Sequence, residues 1–198
     1  MAELTEQAAS KQGRVLIFSG PSGVGKGTLL KLLFDKGAFP LTMSVSATTR
    51  APRPGEIDGV HYNFLTREEF LSRQARGDFL ESFEVYAGGA WYGTLRETVE
   101  QAVAEGKWIV LEIDVKGAKS VVDKIPEAVT FFIAPPTIDD LRKRLESRGS
   151  ETTEELAKRV AQAQTEIDSS DFYRYHIVND RLEDALAEIV EILQRDVA

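Results

Sequence analysis

Residues 20–28 read Gly20-Pro21-Ser22-Gly23-Val24-Gly25-Lys26-Gly27-Thr28, and what lies on either side limits what this stretch can become. Before it, residues 14–19 (RVLIFS) form an apolar run suited to a buried strand. After it, residues 28–35 (TLLKLLFD) have helical spacing, with Gly37 placed to end the helix. A glycine-rich turn between strand and helix can take positive φ and curl until successive N–H groups point inward. The helix N-terminus adds its positive end. The product is an anion cradle, and Lys26 is long enough to reach the β and γ phosphates of a nucleoside triphosphate. The hydroxyl that usually follows the lysine is displaced here: Gly27 takes that place and Thr28 carries the hydroxyl. A mere connecting turn is the competing reading, and the strand–turn–helix setting with its lysine disfavours it.

Apolar runs at 42–47, 107–114, 128–133 and 175–178 alternate with segments of helical period at 95–105, 115–122, 138–146, 154–169 and 182–194. That alternation predicts an α/β protein, a three-layer P-loop fold with a parallel central sheet. Residues 50–93 break the pattern and are rich in Pro, Gly, Tyr and Phe, so an inserted, partly β lobe is expected there. A chain of 198 residues, 42% hydrophobic, suffices for one domain with subdomains. A formal charge of −8 argues against holding nucleic acid or an acidic membrane by bulk electrostatics, so any polyanion site must be local. The absence of cysteine removes disulfides and thiolate metal sites. Residues 1–12 read as a flexible polar tail without a signal-peptide pattern, and no apolar run is long enough to span a bilayer. A cytoplasmic protein is expected.

At the start of the lobe, Arg50 and Arg53 stand three apart beside Pro52 and Pro54. Together they can fork around one phosphate dianion, with Tyr62 adding a hydroxyl and Glu56 orienting the arginines. Either arginine alone reads better as part of a solvated loop; the cradle upstream favours the clamp. Further on, Arg144 and Arg148 precede a Gly149-Ser150 break, and Thr152-x-x-Glu155 starts a new helix carrying Arg159. Two helices joined by a mobile tip can bring these arginines to one side, although charged helices are often no more than solvated faces. His61 and His176 have no metal-ligand spacing, and Trp91 and Trp108 read as packing residues.

The run T-T-R-x-P-R-P-G-E-x-x-G-x-x-Y-x-F, from Thr48 to Phe64, resembles guanylate kinases, and the resemblance extends from Arg14 to Gln194. It implies a single domain over 1–198, with a GMP-binding lobe at about 46–94, a helical lid at about 144–159, and transfer of the γ-phosphoryl group of ATP to GMP and dGMP. By resemblance, Arg50, Arg53, Tyr62 and Tyr92 hold the GMP phosphate. Ser46, Glu81 and Thr94 address the guanine edge, and Asp114 lies near the base. Lys26, Arg53, Arg148 and Arg159 stabilise the transferring group, while Arg144 and Arg148 contact ATP phosphates. Asn179 and Asp180 belong to the adenine-side loop, where backbone groups receive the base. Mg²⁺ is implied as cofactor, held through phosphates and water near Thr28 and Asp114. Residues 87–90 lengthen the hairpin between Glu81 and Tyr92 relative to the family pattern. Because the attacking oxygen belongs to a phosphate already ionised, no general base is required; positioning and charge neutralisation carry the reaction. Two other readings compete: a non-catalytic interaction module of the same fold, and a nucleoside monophosphate kinase of different base preference, which the Gly27-Thr28 order resembles. Self-association is left open.

Overall fold

The computed structural model describes residues 13–85, 89–147 and 152–197. Four of the apolar runs form strands where expected, and the run at 42–47 does so only in part: β1 (Arg14–Ser19), β2 (Leu41–Met43), β7 (Trp108–Glu112), β8 (Val129–Ala134) and β9 (Tyr175–Val178). These five make one sheet in the order β2-β7-β1-β8-β9, and every neighbouring pair is parallel. A parallel sheet needs cover on both faces, which is why its strands are apolar throughout instead of alternating. Along β1, Leu16 and Phe18 face one core and Val15 and Ile17 the other.

The first core packs the sheet against α1 (Lys26–Asp35), α5 (Ile138–Glu146), α6 (Thr153–Asp168) and α7 (Leu182–Ile192). The second packs it against α3 (Arg96–Ala104) and α4 (Val115–Val122). Phe18, Phe131, Leu16 and Ile17 are essentially inaccessible, and burying a side chain of this size contributes about 1.5–3 kcal/mol. A π-helical turn, Leu193–Val197, follows α7 and tucks Leu193 and Val197 into the first core.

The inserted lobe has its own sheet of β3 (Ala47–Thr48), β4 (Asn63–Phe64), β5 (Phe79–Val85) and β6 (Ala90–Leu95), in the order β4-β3-β6-β5. The single run expected at 42–47 is therefore divided: β2 ends at Met43, Ser44 still donates to Val110 O at 2.9 Å, and the chain then leaves the main sheet to pair as β3 with β6. Hydrophobic period does not register a change of sheet. The lobe also contains α2 (Arg67–Ala75), which the sequence reading did not anticipate, although its capping box of Thr66 and Glu69 is a start signal. The lobe has a small core of its own, with Ala47, Phe70 and Phe79 buried and Leu65, Trp91 and Leu95 packed against them.

Candidate active site

The cradle is the turn from β1 into α1, and three of its four glycines sit where only glycine fits, the exception being Gly27 within α1. Gly20, Gly23 and Gly25 have φ of 147°, 89° and 96°. A Cβ at Gly20 would lie 2.2 Å from Ile133 O, and one at Gly25 would lie 2.6 Å from Asn179 Nδ2. Pro21 and Val24 are buried, while Ser22, Gly27 and Thr28 are exposed. Lys26 is the first residue of α1, and its Nζ folds back to donate to Gly20 O at 3.2 Å. The same ammonium lies 3.6 Å from Glu112 Oε1 at the end of β7. Arg159, on α6, donates to Ser22 Oγ.

In the lobe, Arg50 is held on several sides. Its Nη1 and Nη2 each donate to a Glu56 oxygen at 2.9 Å, and its Nε donates to Tyr92 OH at 3.1 Å. The guanidinium carbon also lies 5.4 Å from the centroid of the Tyr62 ring. Glu56 accepts a third bond from the Arg53 backbone N–H at 2.7 Å, while the Arg53 side chain is exposed. The Arg50 bonds foremost, then the Arg53 N–H, hold the Glu56 carboxyl down at about 2. The same pairing raises Arg50 above the ordinary guanidinium value.

Ser46, Tyr62, Glu81, Tyr92 and Asp114 line one cavity of about 200 Å³ between the lobe and the C-terminal ends of the main strands. Glu81 is only 7% exposed, and its carboxyl is pushed up to about 7, chiefly by burial. Thr94 is fully buried behind it and donates to Glu81 Oε1 at 2.6 Å. Asp114 caps α4, accepting from Gly117 N at 2.7 Å. Glu112 and Phe83 also line the cavity, and neither was singled out from sequence as a site residue. The strand-end run Glu112-Ile113-Asp114 is the one signal that could have found Glu112. On the far side of the cradle, Arg144 Nη2 donates to Asn179 O at 2.9 Å and to Asp180 O at 3.4 Å. Arg148 lies outside the described residues, as do residues 87 and 88 of the lengthened hairpin.

The guanylate kinase family profile matches residues 12–196. The chain belongs to the guanylate kinase family. It is 48% identical to the guanylate kinase of Clostridium perfringens (strain SM101 / Type A), covering 93% of this chain and 84% of that one. The guanylate kinase of Rhodopirellula baltica is 45% identical, covering 91% and 87%. Among solved structures, guanylate kinase from Anaplasma phagocytophilum superposes with a TM-score of 0.72 at 34% identity, covering 93% of this chain and 86% of that one. The chain is accordingly a nucleoside monophosphate kinase that transfers the γ-phosphoryl group of ATP to GMP, giving ADP and GDP. Guanylate kinase membership sets aside both the non-catalytic module and the kinase of another base preference. Among the described residues no helix is long and apolar enough to cross a membrane.

Proposed function

We propose that the cavity beside Glu81 is the GMP site and that the residues around it act as follows. The observation that carries this reading is that one cavity is lined both by a buried carboxylate and by the two tyrosines that flank Arg50. Guanine offers N1–H and N2–H₂ to a carboxylate and O6 to a hydroxyl. Glu81 takes the two donors, Ser46 gives to O6, and Thr94 steadies Glu81 from behind. Arg50, Arg53, Tyr62 and Tyr92 take the phosphate, with Glu56 fixing the Arg50 fork. Base and phosphate are both read by polar groups, so dGMP serves as a second acceptor. Asp114 borders the base side.

The loop from Gly20 to Thr28 holds the phosphates of ATP, and Lys26 moves from Gly20 O and Glu112 to the transferring group. Arg144 and Arg148 belong to the ATP side, and Asn179 and Asp180 to the edge where the base lies. Arg53, Arg148 and Arg159 neutralise the charge shared between donor and acceptor. The described residues contain no cluster of three His, Cys, Asp or Glu side chains suited to hold a metal ion. Mg²⁺ bound with ATP would supply charge neutralisation on its phosphates. Thr28, Glu112 and Asp114 fit contacts to its water shell. The domain spans 1–198, with the lobe at 46–94 and the lid at 144–159 closing over the reactants, and the cytoplasm is its compartment.

A coupled assay of ADP formation with GMP, dGMP, AMP, CMP and UMP tests the reading. GMP and dGMP should be used well. A site that hydrogen-bonds one base edge rejects a mismatched base by ~10⁴-fold, so AMP should fall at least that far behind. Comparable use of AMP would remove Glu81 from the site.

A further inference from the structure

Asn179 carries an unusual arrangement for an amide so deeply placed. The residue is 2% exposed, and its Oδ1 is buried without a hydrogen-bond partner among the described residues. A lone buried acceptor costs stability that an apolar residue of the same size would not. The other end of the amide is committed: Nδ2 donates to Val24 O at 2.7 Å, across 155 residues of sequence. The backbone around it is anchored as well. Asn179 N donates to Ala134 O at 2.8 Å, and Asn179 O accepts from Arg144, whose Nη1 also reaches Val24 O at 3.5 Å.

Val24 O is the carbonyl of the peptide that joins Val24 to Gly25, between two positions of positive φ. The described peptides are all trans. A planar trans peptide puts its N–H on the side opposite its C=O, so pinning Val24 O outward turns the Gly25 N–H the other way, toward the concave face of the loop. With glycine on both sides of Val24, little in the loop itself opposes rotation of that peptide. We propose that the Asn179 side chain is a positioning residue for the phosphate cradle: through Val24 O it fixes the Gly25 N–H that ATP phosphate meets. Arg144 reinforces the same carbonyl from α5. The proposal rests on residues 20–28 being the ATP phosphate site, and it gives the Asn179 side chain a role in phosphate binding apart from adenine.

The test uses a ligand with phosphates and no base. Asn179→Asp keeps the shape and replaces the donor with an oxygen that repels Val24 O; Asn179→Ala removes the donor without adding charge and serves if the first variant does not fold. Inorganic tripolyphosphate affinity is measured by titration calorimetry on the full chain, beside the KM for ATP and for GMP. Loss of one fixed hydrogen bond should weaken tripolyphosphate and ATP together by about tenfold while the KM for GMP stays within about twofold. ATP weakened with tripolyphosphate unchanged would mean contact with adenine and overturn the proposal. An equal loss for GMP would mean a general structural defect and do the same, as would no change at all. Lys26→Ala is run in parallel: if it too leaves tripolyphosphate binding untouched, the loop is not the phosphate site, and the underlying assignment falls together with the inference.

Discussion

Glu81, the carboxylate proposed to accept guanine in its ionised form, lies at a place that resists ionisation. Burial is the main cause of its raised value of about 7, the charge of Asp114 adds to it, and bonding to Thr94 and the charge of Lys124 oppose it. Between its ordinary 4.5 and about 7, the folded chain keeps a proton that the unfolded chain has lost. This group's contribution to stability is therefore full below pH 4.5 and is lost as pH rises through 7. Glu81→Gln should raise the unfolding free energy at pH 8 by up to ~3 kcal/mol, with the gain vanishing near pH 4; chemical denaturation at both pH values checks this. In the proposed role the same proton would compete with GMP. The KM for GMP should rise about tenfold from pH 8 to pH 6 in the native chain, and Glu81→Gln should show a high KM without that dependence, its KM for ATP little changed. Arg50, Arg53 and Glu56 are recognisable in sequence because they lie within seven residues of one another. The partnership of Asn179 with Val24 is not, because no local pattern links groups so far apart in the chain.

Element boundaries show where hydrophobic pattern stops being informative. The main-sheet strands were legible because each is buried on both faces and so forms a continuous apolar run. β3 and β4 are two residues each and carry no period, and α2 has a single buried residue, Phe70, so its apolar stripe is too thin to register. One contact between elements bears directly on the proposed acceptor site. A Cβ on Gly117, in the first turn of α4, would lie 3.3 Å from both Asp114 Oδ1 and Glu81 Oε2. The helix start thus approaches the cavity closely enough that a methyl group must push one carboxylate aside. Gly117→Ala should raise the KM for GMP several-fold and leave the KM for ATP within about twofold, since a small displacement of a positioned group costs binding on that side alone. Steady-state kinetics with each substrate varied in turn checks it, and an unchanged GMP constant would show that the carboxylates absorb the methyl freely.

For the molecule as a whole, the cationic groups come from separate pieces of the fold: Lys26 in the cradle, Arg50 and Arg53 in the lobe, and Arg159 on α6, which already reaches the cradle through Ser22. Two polyanions bound between them give these pieces reason to approach. Small-angle scattering should report a smaller radius of gyration with an inert ATP–GMP bisubstrate analogue than without it; an unchanged radius would count against closure. The small core of the lobe has a second consequence, for how the chain opens when no ligand is bound. With three buried apolar residues of its own among the described residues, against the two large clusters around the main sheet, the lobe is the part with least to lose by unfolding alone. Its amides in β5 and β6 should exchange with deuterium through a partial opening much cheaper than global unfolding, while those of β1 and β8 wait for the whole chain to open. GMP alone should slow exchange in the lobe by a factor that grows with its concentration over Kd and leave β1 and β8 nearly unaffected. The acceptor then acts as the missing part of the lobe's interior, and local folding of that lobe and capture of GMP become one equilibrium.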